Sequence, residues 1–145
     1  MRTSFRQARP QDFEYCAKLY FAGMERIIRE LKLDVDKQVS NFRTRWELAQ
    51  VRIITLDHTD VGWLQSEAQD DGVFLGQLFV TAPYQRQGIG TEVVLQIIRE
   101  AAHVRQGVKL GLVKTNPALR LYERLGFRIT HEDERKFYMR RDAAT

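Results

Sequence analysis

Residues 83–94 (PYQRQGIGTEVV) decide the fold, because they join two segments of different periodicity through a pair of glycines. Upstream, residues 73–80 (VFLGQLFV) have the composition of a β-strand, and Pro83 stops that strand. Downstream, the apolar residues share one helical stripe, formed by Val93, Val94, Ile97, Ile98, Ala101 and Ala102. The stretch is therefore predicted to turn the chain from a strand into a helix, which Gly107 ends.

The glycines of this turn, Gly88 and Gly90, also favour a bound anion. Glycine lets the backbone approach a ligand closely, and the first N–H groups of a helix have no intrahelical partner. A Walker-type loop is excluded because no Gly-Lys-Ser/Thr occurs, and the dinucleotide fingerprint GxGxxG fails because Val93 stands at its third glycine. Another phosphate-binding turn and a plain change of chain direction remain open.

Working outward from the turn, the sequence predicts a strand, two helices, three strands, a helix, a strand, a helix and two strands. The predicted strands cover residues 4–8, 51–56, 61–65, 73–80, 108–113, 127–130 and 136–140. The other predicted helices cover residues 10–33, 37–49 and 118–125, and Gly126 ends the last. Short polar turns at 57–60 and 69–72 indicate an antiparallel meander, so we expect an α+β fold with a sheet of mixed direction.

Length and composition indicate a single domain over residues 1–145. The one cysteine, Cys16, excludes an internal disulfide framework and suits a reducing cytosol. No apolar run reaches membrane-spanning length, and the first ten residues lack the apolar stretch of a signal peptide. We therefore expect a cytoplasmic protein with no membrane partner.

Charge is unevenly distributed along the chain. Residues 1–84 carry 11 Lys/Arg against 12 Asp/Glu, whereas residues 85–145 carry 12 against seven. The basic excess begins at the glycine turn and favours an anionic ligand there, although a solvated surface explains it as well. No polybasic run or RNA-binding signature indicates a nucleic-acid partner. The three histidines are scattered, and residues 131–134 (HEDE) are interpreted as a solvated turn, so no metal site is predicted.

Two segments together resemble a known superfamily. The pattern Gln85-x-x-Gly88-x-Gly90 after one strand, with residues 116–127 (NPALRLYERLGF) after the next, resembles the GNAT superfamily of acyl-CoA-dependent N-acyltransferases. The order of elements resembles that family over almost the whole chain, and the specific motifs lie within residues 73–127. The resemblance implies a mixed, mainly antiparallel central sheet flanked by helices, with splayed strands that form the acyl-CoA cleft.

The resemblance also implies roles for individual residues. The pantetheine arm of acetyl-CoA would bond to the backbone of Leu78, Phe79 and Val80, and one N–H there would hold the oxyanion of a tetrahedral intermediate formed by direct attack of the amine. Asn116 would touch the same arm. Tyr122 would contact CoA and protonate the departing thiolate. The pyrophosphate would lie on the amides of Gln85, Arg86, Gln87, Gly88, Ile89, Gly90 and Thr91, with Arg86 helping to neutralise it.

The residues alone leave two of these roles open. Tyr122 lies in a run with Leu119, Leu121 and Leu125, so periodicity alone predicts a core aromatic residue. Asn116 followed by proline is typical of a helix start and is explained by capping alone.

No general base stands out. An alkyl ammonium has a pKa near ~10 and must lose a proton before its nitrogen can attack. Residues 73–80 contain no Asp, Glu or His, which leaves Glu67, Glu25, Glu30 or a chain of waters.

The acceptor site would be built from residues 21–46, which mix apolar and charged side chains. The leading hypothesis is acetyl transfer to the primary amine of a small molecule. The alternatives are a protein N-terminus or lysine as acceptor, or a CoA-binding module without turnover. A homodimer formed through residues 127–140 is possible.

Overall fold

The computed structural model describes residues 3–143, which divide into two compact units. The first unit holds residues 3–65 and 77–87, and the second holds residues 66–76 and 88–143. The seven strands are β1 (Thr3–Gln7), β2 (Val51–Leu56), β3 (Thr59–Gln69), β4 (Gly72–Val80), β5 (Val108–Val113), β6 (Arg128–Glu132) and β7 (Lys136–Arg141). The helices are α1 (Phe13–Glu30), α2 (Val35–Arg45), α3 (Ile89–His103) and α4 (Leu119–Arg124), with 3-10 turns at Pro10–Asp12, Leu48–Gln50 and Ala82–Tyr84.

Strand pairing confirms the α+β class with a mixed sheet. In the first unit the hydrogen-bonded order is β1-β2-β3-β4, and the β1/β2 and β2/β3 pairs are antiparallel. In the second unit the order is β3-β4-β5-β7-β6, with β5/β7 and β6/β7 antiparallel and β4/β5 parallel. The single domain predicted for residues 1–145 stays a prediction.

The first unit is built on an aromatic core. Trp63 of β3 is fully buried, its ring stacks on Phe79 with centroids 5.6 Å apart, and Phe42 of α2 meets its edge at 5.9 Å. Cys16 of α1 is also fully buried, as expected for packing rather than chemistry, and burial raises the pKa of its thiol to about 11. Cys16 and Trp63 belong to one buried cluster, so the apolar face predicted for α1 packs on this core.

An ion-pair network fixes the entry into α1. Asp12 is buried and accepts from Arg6 Nη1 at 2.9 Å, from Arg6 Nη2 at 3.0 Å and from the Arg9 N–H at 2.8 Å. Arg6 also donates to Asp60 at 2.9 Å. The bond from Arg6 holds the pKa of Asp12 below its usual 3.8.

Asp12→Asn is expected to lower the free energy of unfolding by about 1–3 kcal/mol at pH 7, because Arg6 loses a charged partner. The pKa of Asp12 is depressed in the fold, so its contribution is present above pH 3.8 and is lost as the pH falls through the lowered value. The difference in the free energy of unfolding between the variant and the wild type should therefore be smaller in acid. Urea unfolding at pH 7 and pH 3 measures this, with the exposed Asp70→Asn as control; an equal gap at both pH values would contradict it.

The second unit is built on α3 and β5. Val108, Leu110 and Leu112 of β5 are buried at alternate positions, and α3 contacts this strand. The predicted stripe of α3 is buried at Val93, Val94, Ile97 and Ala101, whereas Ile98 is half-buried and Ala102 is exposed. The stripe is thus narrower than predicted.

Two details of the second unit differ from the prediction. α3 ends at His103, and Arg105 rather than Gly107 adopts the left-handed backbone. Glycine is needed at position 107 because an added Cβ would lie 2.5 Å from the Arg141 carbonyl oxygen. The Gly107 carbonyl also accepts from the Val73 N–H at 2.9 Å. The turn predicted at residues 131–134 is wrong in its first half, because His131 and Glu132 belong to β6 and the His131 ring stacks on Tyr138 at 4.5 Å.

Candidate active site

In the first unit, the turn that follows β4 is tied by its own side chains. Gln85 Nε2 donates to the Val80 carbonyl at 2.8 Å, and Gln87 Nε2 donates to the Pro83 carbonyl at 3.0 Å. Between them, Arg86 is exposed and adopts a left-handed backbone with φ 61°. The two glutamine side chains therefore fix the turn, and the Gln85 N–H itself donates to the Ala82 carbonyl at 3.2 Å.

In the second unit, α3 begins with a glycine that the backbone requires. Gly88 has φ 84°, which strains any residue with a Cβ, and its carbonyl accepts the first helical bond from Glu92 N at 3.0 Å. The N–H groups of Ile89, Gly90 and Thr91 precede that bond and are the unpaired donors of the helix terminus. A Cβ on Gly90 would meet nothing within 4 Å, so the space beside this first turn is open.

β4 and β5 share only a short ladder in the second unit. Among the described residues the parallel register pairs Val73 with Val108 and Phe74 with Lys109, and both strands continue beyond these pairs.

Asn116 lies in the turn that leads to α4. Its Oδ1 accepts from the Ala118 N–H at 2.9 Å, and α4 begins at Leu119 with Ala118 as N-cap. The predicted cap, Asn116, therefore lies two residues before the observed cap, although Asn116 does satisfy a backbone donor of the turn. This bond uses one of the two acceptor positions of the side-chain oxygen.

Tyr122 of α4 is buried, and its ring meets Phe127 edge to face with centroids 5.5 Å apart. Gly126 follows α4 with φ 94°, as predicted, and turns the chain so that the Phe127 N–H donates to the Tyr122 carbonyl at 3.0 Å. Burial raises the pKa of Tyr122 above its usual 10.0, which keeps its proton in place at neutral pH. The ring is thus a core aromatic, as periodicity predicted, and carries an acid that stays protonated.

A family model described as an acetyltransferase (GNAT) domain matches residues 47–129, which is more than half of the chain. The chain belongs to the GNAT acetyltransferase family. It is accordingly an acyltransferase, and the match includes the glycine turn and Tyr122. No curated protein matches the sequence significantly.

Solved structures of the same fold cover nearly the whole of this GNAT chain. A Pyrococcus horikoshii OT3 protein, PH1933, superposes with a TM-score of 0.78 at 13% identity, covering 99% of this chain and 100% of that one. The PaiA N-acetyltransferase of Thermoplasma acidophilum, in complex with coenzyme A, gives 0.67 at 19% identity and covers 98% and 99%. The ribosomal-protein-S18-alanine N-acetyltransferase of Escherichia coli gives 0.68 at 18% identity and covers 99% and 96%. Such identities show a shared fold.

The three carboxylates predicted as candidate bases are all exposed in this GNAT protein. In the first unit, Glu25 pairs with Arg29 at 3.2 Å and Glu30 pairs with Arg26 at 2.8 Å along α1. In the second unit, Glu67 accepts from Gln69 Nε2 at 3.4 Å. None of the three lies in the buried setting that prepares a carboxylate for base catalysis.

Sequence reasoning assigned no role to Gly23, which lies in the middle of α1 and would bring a Cβ within 2.8 Å of the Phe79 ring. The available signal was a glycine inside an otherwise helical run, which lowers helix stability and therefore calls for a packing or functional reason.

Two further findings concern membrane-spanning helices and metal-binding groups among the described residues. No helix among residues 3–143 is long and apolar enough to cross a membrane. Over the same residues, no three His, Cys, Asp or Glu side chains are grouped so that they could hold a metal ion.

Proposed function

We propose that this GNAT protein is an N-acetyltransferase that uses acetyl-CoA as donor and the primary amine of a small molecule as acceptor. The start of α3 carries the proposal. Left-handed Gly88 precedes the first amides of α3, which have no helical partners, and the open space beside Gly90 leaves room for a phosphate to approach them. A relative of the same fold was solved in complex with coenzyme A, which supports the same donor here.

The second unit would supply a pyrophosphate cradle and an acid. The amides of Gly88, Ile89, Gly90 and Thr91 bind the pyrophosphate, where the helix terminus favours negative charge. Asn116 accepts from the Ala118 N–H through Oδ1 and has its amide nitrogen available to donate to the pantetheine arm. Tyr122 donates its proton to the sulfur of the departing CoA, and its raised pKa keeps that proton available.

The first unit would supply the groups that hold the acyl end. The backbone of Leu78, Phe79 and Val80 bonds to the pantetheine arm, and one of its N–H groups holds the carbonyl oxygen as negative charge develops. Arg86 and Gln87 offer further backbone amides for a phosphate, and the Arg86 side chain is exposed. The Gln85 N–H already donates to the Ala82 carbonyl, so the role proposed for Gln85 is to hold the turn through its side-chain bond to the Val80 carbonyl.

The chemistry is direct acyl transfer. Acetyl-CoA supplies an activated thioester. The neutral amine nitrogen adds to the carbonyl carbon to form a tetrahedral intermediate, and the carbon–sulfur bond breaks when that intermediate collapses. Tyr122 supplies the proton that the sulfur gains. The amine's own proton leaves through water, since the three candidate carboxylates are exposed and two are paired with arginines.

A groove of about 520 Å³ in the first unit is the candidate site for a small acceptor. It is lined by Phe21, Ile28, Leu33 and Val35, with Glu25, Arg29 and Lys32 at its polar side. A protein N-terminus or a lysine is the alternative acceptor, and the Escherichia coli relative is an N-acetyltransferase for an alanine of ribosomal protein S18. The cytoplasmic location and the possible homodimer stay predictions.

Saturating CoA is expected to raise the Tm of the protein by several degrees, because a ligand that binds only the folded state stabilises it by about 2.7 kcal/mol at 100 times its Kd. Thermal unfolding with and without CoA measures this. Thiol release from acetyl-CoA is then followed with a panel of small amines and with peptides that carry free N-termini. An unchanged Tm at saturating CoA would contradict acetyl-CoA as the donor. Turnover with peptides alone would show that the acceptor is a protein or peptide amine and not a small molecule.

A further inference from the structure

Phe79, near the end of β4, is held between two glycines of the first unit. A Cβ added to Gly23 of α1 would lie 2.8 Å from Cε1 and 2.9 Å from Cδ1 of the Phe79 ring. A Cβ added to Gly62 of β3 would collide with the Phe79 carbonyl oxygen and lie 3.1 Å from the Val80 Cα. Both glycines are therefore needed for Phe79 to keep its place, one against its ring and the other against its backbone.

Neighbouring aromatic rings contact Phe79 on two sides and limit its movement. On one side it stacks on Trp63 with an interplanar angle of 24°, and Trp63 is fully buried. On another side Tyr20 of α1 meets it edge to face, with centroids 5.4 Å apart. Tyr20 and Gly23 are three residues apart and so lie on the same face of α1. Phe79 is half-buried and its ring is contacted on two sides, so we expect a methyl group at position 23 to displace α1 or the end of β4.

We propose that Gly23 is a positioning residue for acyl transfer, because it lets α1 approach Phe79 closely enough to fix the backbone at the end of β4. This inference rests on the proposed function, in which an N–H of residues 78–80 holds the developing oxyanion. Such a donor acts only within about 2.7–3.1 Å of the oxygen, so a small displacement of the strand weakens it. Helix propensity favours alanine over glycine, so packing against Phe79 and not the helix itself explains glycine at this position.

Gly23→Ala is expected to lower kcat roughly tenfold or more, since a misplacement of about 1 Å at a reacting centre costs up to about 10²-fold. The Kd for CoA should stay within about twofold of wild type, because the pyrophosphate and its amides are untouched. Steady-state kinetics with the best amine of the panel, together with CoA titration, separates these two effects. A purely structural role would change the Tm but would not lower kcat at an assay temperature where the variant is folded.

Two further variants test whether the effect passes through the ring. In a Phe79→Leu background the alanine at position 23 should cost less than about threefold in kcat, because the smaller side chain removes the clash and the two sites are coupled. Ala22→Gly, at an exposed neighbouring position of α1, controls for a change in the helix and should leave kcat within about twofold.

An unchanged kcat in Gly23→Ala, or an equal loss in the Phe79→Leu background, would overturn the inference while wild-type turnover still upholds the proposed function. A wild-type protein that neither binds CoA nor releases thiol overturns the proposed function, and this inference with it.

Discussion

Tyr122→Phe is expected to reduce kcat by about 10²-fold or more, the usual contribution of a general acid, while the Kd for CoA stays nearly unchanged. The ring of Tyr122 is buried against Phe127 and fills the same space as phenylalanine, so the substitution removes only the hydroxyl. Without it the CoA thiolate must leave unprotonated or take its proton from water. Thiol release at saturating acetyl-CoA measures kcat, and thermal shift with CoA measures binding.

The pH profile gives an independent test of the same role. An acid must be protonated to act, so activity should be lost as the pH rises through the pKa of Tyr122, which burial raises above 10.0. The variant should lack this alkaline limb. Tyr138→Phe is the matched control, because that hydroxyl donates to exposed Asp133 at 2.8 Å on the β6/β7 hairpin and has no part in the proposed chemistry. Unchanged turnover in Tyr122→Phe would remove the acid assignment.

Sequence patterns predicted the strands best where a β-branched run stands between polar turns. The predicted bounds of β2 and β5 agree with Val51–Leu56 and Val108–Val113. β3 is longer than the predicted 61–65, because Thr59 and residues 66–69 pair through the backbone although their side chains are mostly polar and exposed. Hydrophobic periodicity detects which face is buried and not which backbone groups are paired.

Some features of the candidate site were likewise predictable from local sequence, and others were not. The glycine turn and the position of Tyr122 on a short helix were predictable, because local backbone demands and a motif of fixed spacing mark them. The contact between Gly23 and Phe79 joins α1 to β4 across many intervening residues, and no local pattern encodes it. The ends of α3 and α4 were missed for a related reason: Arg105 adopts a conformation usually left to glycine, and Ala118 stands at a cap position usually left to Asn or Ser.

Gly90→Ala is expected to weaken CoA binding roughly 10–100-fold, by the loss of one or two charge-assisted hydrogen bonds, without destabilising the protein. A methyl group at this position would enter the open space beside the first turn of α3, where the proposed pyrophosphate site lies. In the free protein that methyl touches nothing, and alanine favours a helix over glycine by up to about 1 kcal/mol. The Tm should therefore be unchanged or slightly raised, while the CoA-induced shift in Tm is largely lost.

Gly88→Ala provides the contrast, because Gly88 has φ 84° and alanine there is strained by about 1–2 kcal/mol whether or not CoA is bound. That variant should lose both stability and affinity, whereas Gly90→Ala should lose affinity alone.

Acetyl-pantetheine, which lacks the pyrophosphate, separates the proposed pyrophosphate site from the rest of the site. Its kcat/KM should be equal in wild type and Gly90→Ala, since the methyl group obstructs only the phosphates. A Gly90→Ala protein that binds CoA as wild type does, or that loses acetyl-pantetheine turnover to the same extent as acetyl-CoA turnover, would contradict the placement of the pyrophosphate at the start of α3.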